Sequence, residues 1–381
     1  MARRGSLWVV AALLFWPAAA CKHVREISSA YREYAYVTNG QSDNVTVIDV
    51  LTRRAVKTVA VGRQPTGVTA NPHKNEIYVV NTGSDNVSFL DAERNVIVAA
   101  VGVHHAPYFI GVSADGRRGY VANSGSANVS VVDLEARKVI RSIPVGAAPG
   151  LARVSPDGST VVVTNRGDNT LSLIDTSKLG VRSTLSVCRQ PEDAVILPDS
   201  SKAFVACTGS SQVAAIDLKE DRVLALLDVD QVPVHLAMKP DGGEIFVSNF
   251  AAQSVSVIET GTNEVGASYL MGSNPVRGLV SADNSTLFVS NFGSDSLSMF
   301  SIADGKLLTT IQVGSKPDGL ALSEDQTYLF VLDTASGDVA VIRTTEKRFK
   351  NIISVAALQT TIPTGSQPRQ IVVKSFMQNR R

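Results

Sequence analysis

Apolar positions in this chain come in short runs, broken at short intervals by turn residues. Between residues 65 and 103 the pattern is plain. Pro65–Ala70 is a short run that ends at Asn71-Pro72, and Ile77–Val80 is a second run, followed by Asn81-Thr82-Gly83-Ser84-Asp85. Asn86–Leu90 is a third, broken by the polar stretch Asp91–Asn95, and Val96–Val103 is a fourth. Val, Ile, Phe and Tyr fill the runs; Gly, Pro, Asn, Asp and Ser fill the gaps, which predicts four short strands joined by tight turns. The density of glycine and β-branched residues argues against the helical repeats of similar period.

This four-strand unit recurs. Tyr78–Asp91 has near copies beginning at Tyr36 and Tyr120, and weaker ones at Val162, Phe204, Phe246, Phe288 and Phe330, spaced 42 residues apart throughout. Self-similarity at a period near 40 residues is the signature of a repeat architecture. Four-stranded units repeated radially make a β-propeller, an all-β fold of antiparallel blades that leaves only short, protected edges. Eight second strands and eight innermost strands, the latter starting at Pro65, Pro107, Pro149, Pro191, Pro233, Pro275, Pro317 and Pro368, predict eight blades, with a seven-bladed ring as the rival. The series opens on a second strand and closes on an innermost one. The run Arg369–Lys374 is therefore expected to complete the blade begun at Tyr36.

Tyr36-Val37-Thr38-Asn39 resembles the tetrapeptide of the YVTN-type β-propeller proteins, and Ser155-Pro156-Asp157-Gly158, Asn44–Asp49 and Ile143-Pro144-Val145-Gly146 follow the same family's pattern. The resemblance covers about residues 36–375. It implies a propeller from a group with surface-layer-like and periplasmic members, related to lactonases and to dehydrogenase subunits, and leaves function open.

The N-terminus adds a leader. Arg3 and Arg4 precede the apolar run Leu7–Ala20, too short to span a membrane and suited to a signal-peptide core. It ends Ala18-Ala19-Ala20-Cys21, which resembles a bacterial lipobox with Ala18 where Leu is preferred; cleavage after Ala20 without lipidation is the alternative. The expected organisation is a signal peptide over 1–20, a lipidated Cys21 and tether over 21–35, the propeller over 36–375, and a tail over 376–381. Residues around 344–356 form an insertion in the eighth repeat, read as a solvated loop.

Basic and acidic residues balance, 36 against 35, and aromatics make up 6%, so neither a global basic field nor stacking material for nucleic acid is present. With Cys21 committed to lipid, Cys188 and Cys207 remain. They occupy slots expected on one face of neighbouring blades, either bridged or as two buried thiols.

Candidate chemistry collects at the channel mouth, where the innermost strands begin. Haem-attachment, nucleophile-elbow and zinc-helix motifs are absent, and the adjacent His104 and His105 would point to opposite faces of a strand, so no cofactor or metal is expected. The two positions after each proline carry large and charged residues, among them Tyr108, Glu192, Asp193, His235, Arg277, Asp318 and Arg369, and loops on the same face add Phe250, Phe292 and Lys316. Convergent polar groups with aromatics at a concave mouth predict a binding site made by Tyr108, Phe250, Phe292, Arg277, Lys316, Asp318 and Arg369. The reading is a monomeric, lipid-anchored envelope protein that binds a small ligand or an envelope partner. It faces the periplasm or the cell surface and touches membrane only through its anchor. The alternatives are a lactonase-like hydrolase, with Glu192 or Asp193 as base, His235 as proton shuttle and Arg277 or Arg369 stabilising an oxyanion, and an accessory propeller of a periplasmic dehydrogenase or a nucleic-acid-binding relative.

Overall fold

The computed structural model describes residues 30–344, 347–349, 352–354 and 356–378. They form eight four-stranded antiparallel sheets in a ring. Blade two shows the plan, running outward from the channel as Pro65–Ala70, Glu76–Asn81, Asn86–Asp91 and Val96–Gly102. Blades three to eight begin with inner strands at Pro107, Pro149, Pro191, Pro233, Pro275 and Pro317. Blade one is composite: its inner strand is Pro368–Met377, followed by Tyr31–Asn39, Asn44–Asp49 and Arg54–Ala60. Ile371 pairs with Val37 and Val372 with Tyr36, so the C-terminal strand closes the ring on the N-terminal one.

Both predicted borders of the propeller were too narrow. Tyr31 to Ala35, read as tether, are strand residues paired with Met377 to Val373, and Phe376, read as tail, is buried against Tyr36 and Val47. The polar letters of Tyr31-Arg32-Glu33 hid a strand whose pairing lies more than 300 residues away. Leader and anchor lie outside the described residues. The insertion, read as a plain loop, contains a two-stranded ribbon, Lys347–Phe349 with Ile352–Ser354.

The core lies between blades rather than within them. Second and third strands are buried on both faces, and each blade packs on the next: Tyr78, Val80 and Phe89 of blade two meet Ile110, Val121 and Leu134 of blade three. Outer strands alternate exposed and half-buried, as in Val96–Gly102.

The Asn that ends most second strands pins the blade at its mouth end. Asn39 Nδ2 donates to Asn44 Oδ1 (2.7 Å) and Thr46 Oγ1 (2.9 Å), and Asn81, Asn123, Asn165, Asn249 and Asn291 do likewise. A glycine from the loop entering the blade presses on this Asn. A Cβ added to Gly62 would lie 2.7 Å from Asn81 Cβ, closer than real Cβ atoms approach, and Gly146, Gly272 and Gly365 press on Asn165, Asn291 and Asn39 in the same way, whereas blades three and six carry His104 and Asp230 in this slot. In blade five the two contacting slots hold Cys188 and Cys207, and a disulfide joins them with Cα atoms 5.7 Å apart. The bridge ties the loop entering blade five to that blade's own second strand, not one blade to its neighbour as the slots had suggested.

Each mouth loop is held in place by the preceding blade. The residue before every innermost proline has a positive φ, from 49° at Gln64 to 59° at Val232. Its amide is met, at several blades, by the previous hairpin: Gln64 N donates to Asp43 Oδ1 and Lys316 N to Asp295 Oδ1, both at 2.8 Å. These ties fix the start of each inner strand, and so the side chains that follow each proline.

Candidate ligand site at the channel mouth

The channel opens at this face into a cavity of about 430 Å³, adjoined by a further section of about 390 Å³. Arg153, His235, Arg277, Arg369, Gln370 and Ile371 line both. Tyr108, Phe109, Leu151, Glu192, Asp193 and Asp318 add to the mouth section.

Inner strands present one backbone edge to the channel, and side chains from the preceding blade cap it. Asp193 Oδ2 accepts the Leu236 amide (3.0 Å), His235 Nδ1 accepts the Gly278 amide (3.2 Å), and Gln370 Oε1 accepts the Val68 amide (2.9 Å). The three amides occupy the same slot, third after the proline. A polar residue two positions after the proline is therefore placed first by the need to satisfy a backbone donor.

Four guanidiniums and three carboxylates meet here. Arg277 Nε donates to Asp318 Oδ1 at 2.9 Å, Arg166 Nη1 lies 3.3 Å from Glu192 Oε1, and Arg153 Nη2 lies 3.7 Å from Asp193 Oδ1. Among the described residues Arg369 meets no carboxylate; its Nη2 donates to Gln367 Oε1 at 2.9 Å. Burial pushes the His235 imidazole down to about 4 and the nearby Arg277 and Arg153 add to this, outweighing the opposing pull of Asp193, so His235 is neutral at physiological pH. The cluster keeps one positive charge in excess. Stacking surfaces flank it: Arg166 lies 4.7 Å over the Tyr108 ring and Arg153 5.6 Å over Phe109.

The expected binding set is split by the fold. Tyr108, Arg277, Asp318 and Arg369 line the mouth, whereas Phe250, Phe292 and Lys316 are absent from the lining of either section. Those three make a separate rim cluster, with ring centroids 6.1 Å apart and Lys316 Nζ 5.4 Å over Phe292. The expected catalytic set fares differently. Glu192 is engaged by Arg166, and Asp193 is 6% exposed with both oxygens accepting backbone amides. His235 Nε2 stands 3.7 Å from Asp193 Oδ2, beyond hydrogen-bond reach and on the adjacent blade rather than across the mouth. Of the other histidines, His105 Nδ1 lies 3.2 Å from Asp85 and His73 Nε2 lies 2.8 Å from the Ala114 carbonyl.

Arg153 and Arg166 were missed in the sequence. Arg166 holds the slot that Phe250 and Phe292 hold in later blades, where Ser124 and Thr208 are small. Arg153 stands four residues after its proline, two beyond the positions collected.

Comparison with known proteins agrees on the fold and diverges on activity. A family model described as the cytochrome D1 heme domain matches residues 70–251, and one described as a seven-bladed lactonase propeller matches residues 279–370; neither reaches half of the chain. No curated protein matches. Among solved structures, dihydro-heme d1 dehydrogenase NirN in complex with DHE superposes with a TM-score of 0.74 at 15% identity, covering 89% of this chain and 74% of that one. AztD from Citrobacter koseri gives 0.70 at 12% identity, covering 92% and 100%. Hydrazine synthase from Kuenenia stuttgartiensis gives 0.59 at 22%, covering 70% and 92%. At such identities these likenesses establish the propeller alone.

Proposed function

We propose that this protein is a ligand-binding propeller that takes a small anion with a planar apolar body at the channel mouth. The observation carrying this is the cluster of Arg153, Arg166, Arg277 and Arg369 beside Tyr108 and Phe109, with one positive charge unneutralised. Arginine beside an exposed ring recognises carboxylate or phosphate and planar surface together. The two carboxylates a hydrolase would use as base are engaged, Glu192 by Arg166 and Asp193 by two backbone amides, which favours binding over a lactonase reading.

The partial match to a heme domain raises a tetrapyrrole as the planar anion. The arginines suit its acidic groups, but the one histidine in the lining does not fit an axial ligand. Its Nδ1 accepts the Gly278 N–H, which places the ring proton on Nε2, the nitrogen a metal would need. We therefore assign no iron chemistry to this site.

Pyrenebutyrate, a planar body with one carboxylate, should bind saturably by fluorescence anisotropy. Tyr108→Ala combined with Arg166→Ala should weaken it at least tenfold while the protein keeps a single cooperative thermal transition, since the change removes a partly exposed ion pair and costs about 1 kcal/mol. Unaltered binding by that double variant would move the site elsewhere.

Attachment to the envelope through Cys21 belongs to the same proposal. Palmitate labelling should depend on Cys21, and Cys21→Ser protein that still fractionates with membranes would overturn the anchor.

A further inference from the structure

The capping of inner strands is incomplete, and the gap is informative. Leu320 of blade eight and Ile371 of blade one stand third after their prolines, the slot of Val68, Leu236 and Gly278. They pair with Val331 and Val37 as Leu236 pairs with Val247, so their amides also face away from the sheet ladder. The residues that should cap them are Arg277, which has no acceptor, and Gly319, which has no side chain. No side chain of the described residues accepts from either amide. The equivalent amides of blades three and four, at Ile110 and Ala152, also follow non-accepting residues, Gly67 and Phe109, but Ile110 and Ala152 do not line the cavity, whereas Leu320 and Ile371 do.

We propose that the Leu320 and Ile371 amides, flanked by Arg277 and Arg369, form an oxyanion subsite that fixes the acidic group of the ligand on the wall between blades seven, eight and one. Backbone donors that face a cavity without a protein partner want an acceptor, which a carboxylate or phosphate supplies. Asp318 occupies Arg277 Nε and so orients the guanidinium rather than filling the subsite. The inference rests on the proposed anion-binding function and names the group recognised and its place.

Amide resonances in ¹⁵N-labelled full chain provide the test, with inorganic phosphate and acetate as separate titrants. Leu320 and Ile371 should shift saturably with one or both, and the titrant that acts identifies the acidic group. Val68, Leu236 and Gly278, already capped, should not follow. Arg277→Gln supplies the Leu320 amide with a cap like Gln370 as well as removing a charge, and should abolish the Leu320 response and weaken binding at least tenfold. Gly319→Gln, whose Cβ must displace Leu332 Cδ1 at 2.7 Å, should abolish the Ile371 response, with the unmoved Val68 and Gly278 resonances showing that each variant is folded. Still resonances at Leu320 and Ile371, or equal movement of the capped amides, would overturn the subsite. Pyrenebutyrate binding that persists while both amides stay still would sink this inference and leave the broader proposal standing; anion shifts without pyrenebutyrate binding would do the reverse.

Discussion

Removal of residues from Pro368 onward is expected to unfold the whole propeller rather than trim a tail. The deleted segment is the inner strand of blade one, paired along Tyr31–Asn39. It carries Ile371 into the cluster that joins blades one and eight, with Phe330, Leu332 and Val37, and Phe376 into the cluster joining blades one and two. Each fully buried apolar side chain of this kind is worth about 1.5–3 kcal/mol. Losing several, together with a full ladder of backbone hydrogen bonds, is comparable to the whole stability of a domain, about 5–15 kcal/mol. The truncation also bares the edge of Tyr31–Asn39, which invites aggregation. Circular dichroism should show loss of the cooperative thermal transition, and a peptide of residues 368–378 added in trans should restore part of it. A truncated protein that melts within a few degrees of the intact one would mean that closure contributes little.

Replacing Asp333 with Asn is expected to stabilise the protein, and increasingly so as pH rises. Asp333 fills the slot held by Asn in six blades, and among the described residues neither of its carboxyl oxygens has a well-aligned hydrogen-bond partner, although the Gly314 and Ala340 backbone lies close enough to ease its charge in part. Burial, and the neighbouring Asp338 after it, push its carboxyl up to about 8. The folded state therefore holds a proton that the unfolded chain gives up near pH 4. Stability associated with this group is full below that pH and is lost as pH climbs toward 8. An amide does not titrate, and it can donate to Asp338 as Asn39 donates to Asn44. At about 1.4 kcal/mol per pH unit, discounted for the shared environment of the two carboxyls, the gain at pH 8 should be about 2–4 kcal/mol. Denaturant melts at pH 5 and pH 8 measure it; an equal or negative change at pH 8 would show that Asp333 is accommodated as an anion.

Where the two readings agree and part follows from the range of the forces involved. Strand positions, turn chemistry, the 42-residue unit, the count of eight and the closing strand are recorded locally, since each strand needs only its own alternation and its own turn. The same holds for the mouth: a proline marks the start of each inner strand, so the residues after it, Asp193, His235 and Arg277 among them, were legible as a group. Their roles were not. Whether Asp193 is a base or a cap depends on the Leu236 amide of the next blade, and whether His235 shuttles protons depends on the Gly278 amide beyond that. Arg166 reaches Tyr108 and Glu192 from an adjacent blade, and the strand at Tyr31 is defined by a partner at Met377. Cys188 and Cys207 meet because they fill the slots where a glycine and an asparagine touch in blades one, two, four and seven, a contact that spacing alone does not reveal. The repeat by itself determined eight blades, one ring and one mouth. Only the tertiary structure decided which charges are spent on backbone and on each other and which donors remain for a ligand, because those pairings cross between blades, where the chain carries no local signal.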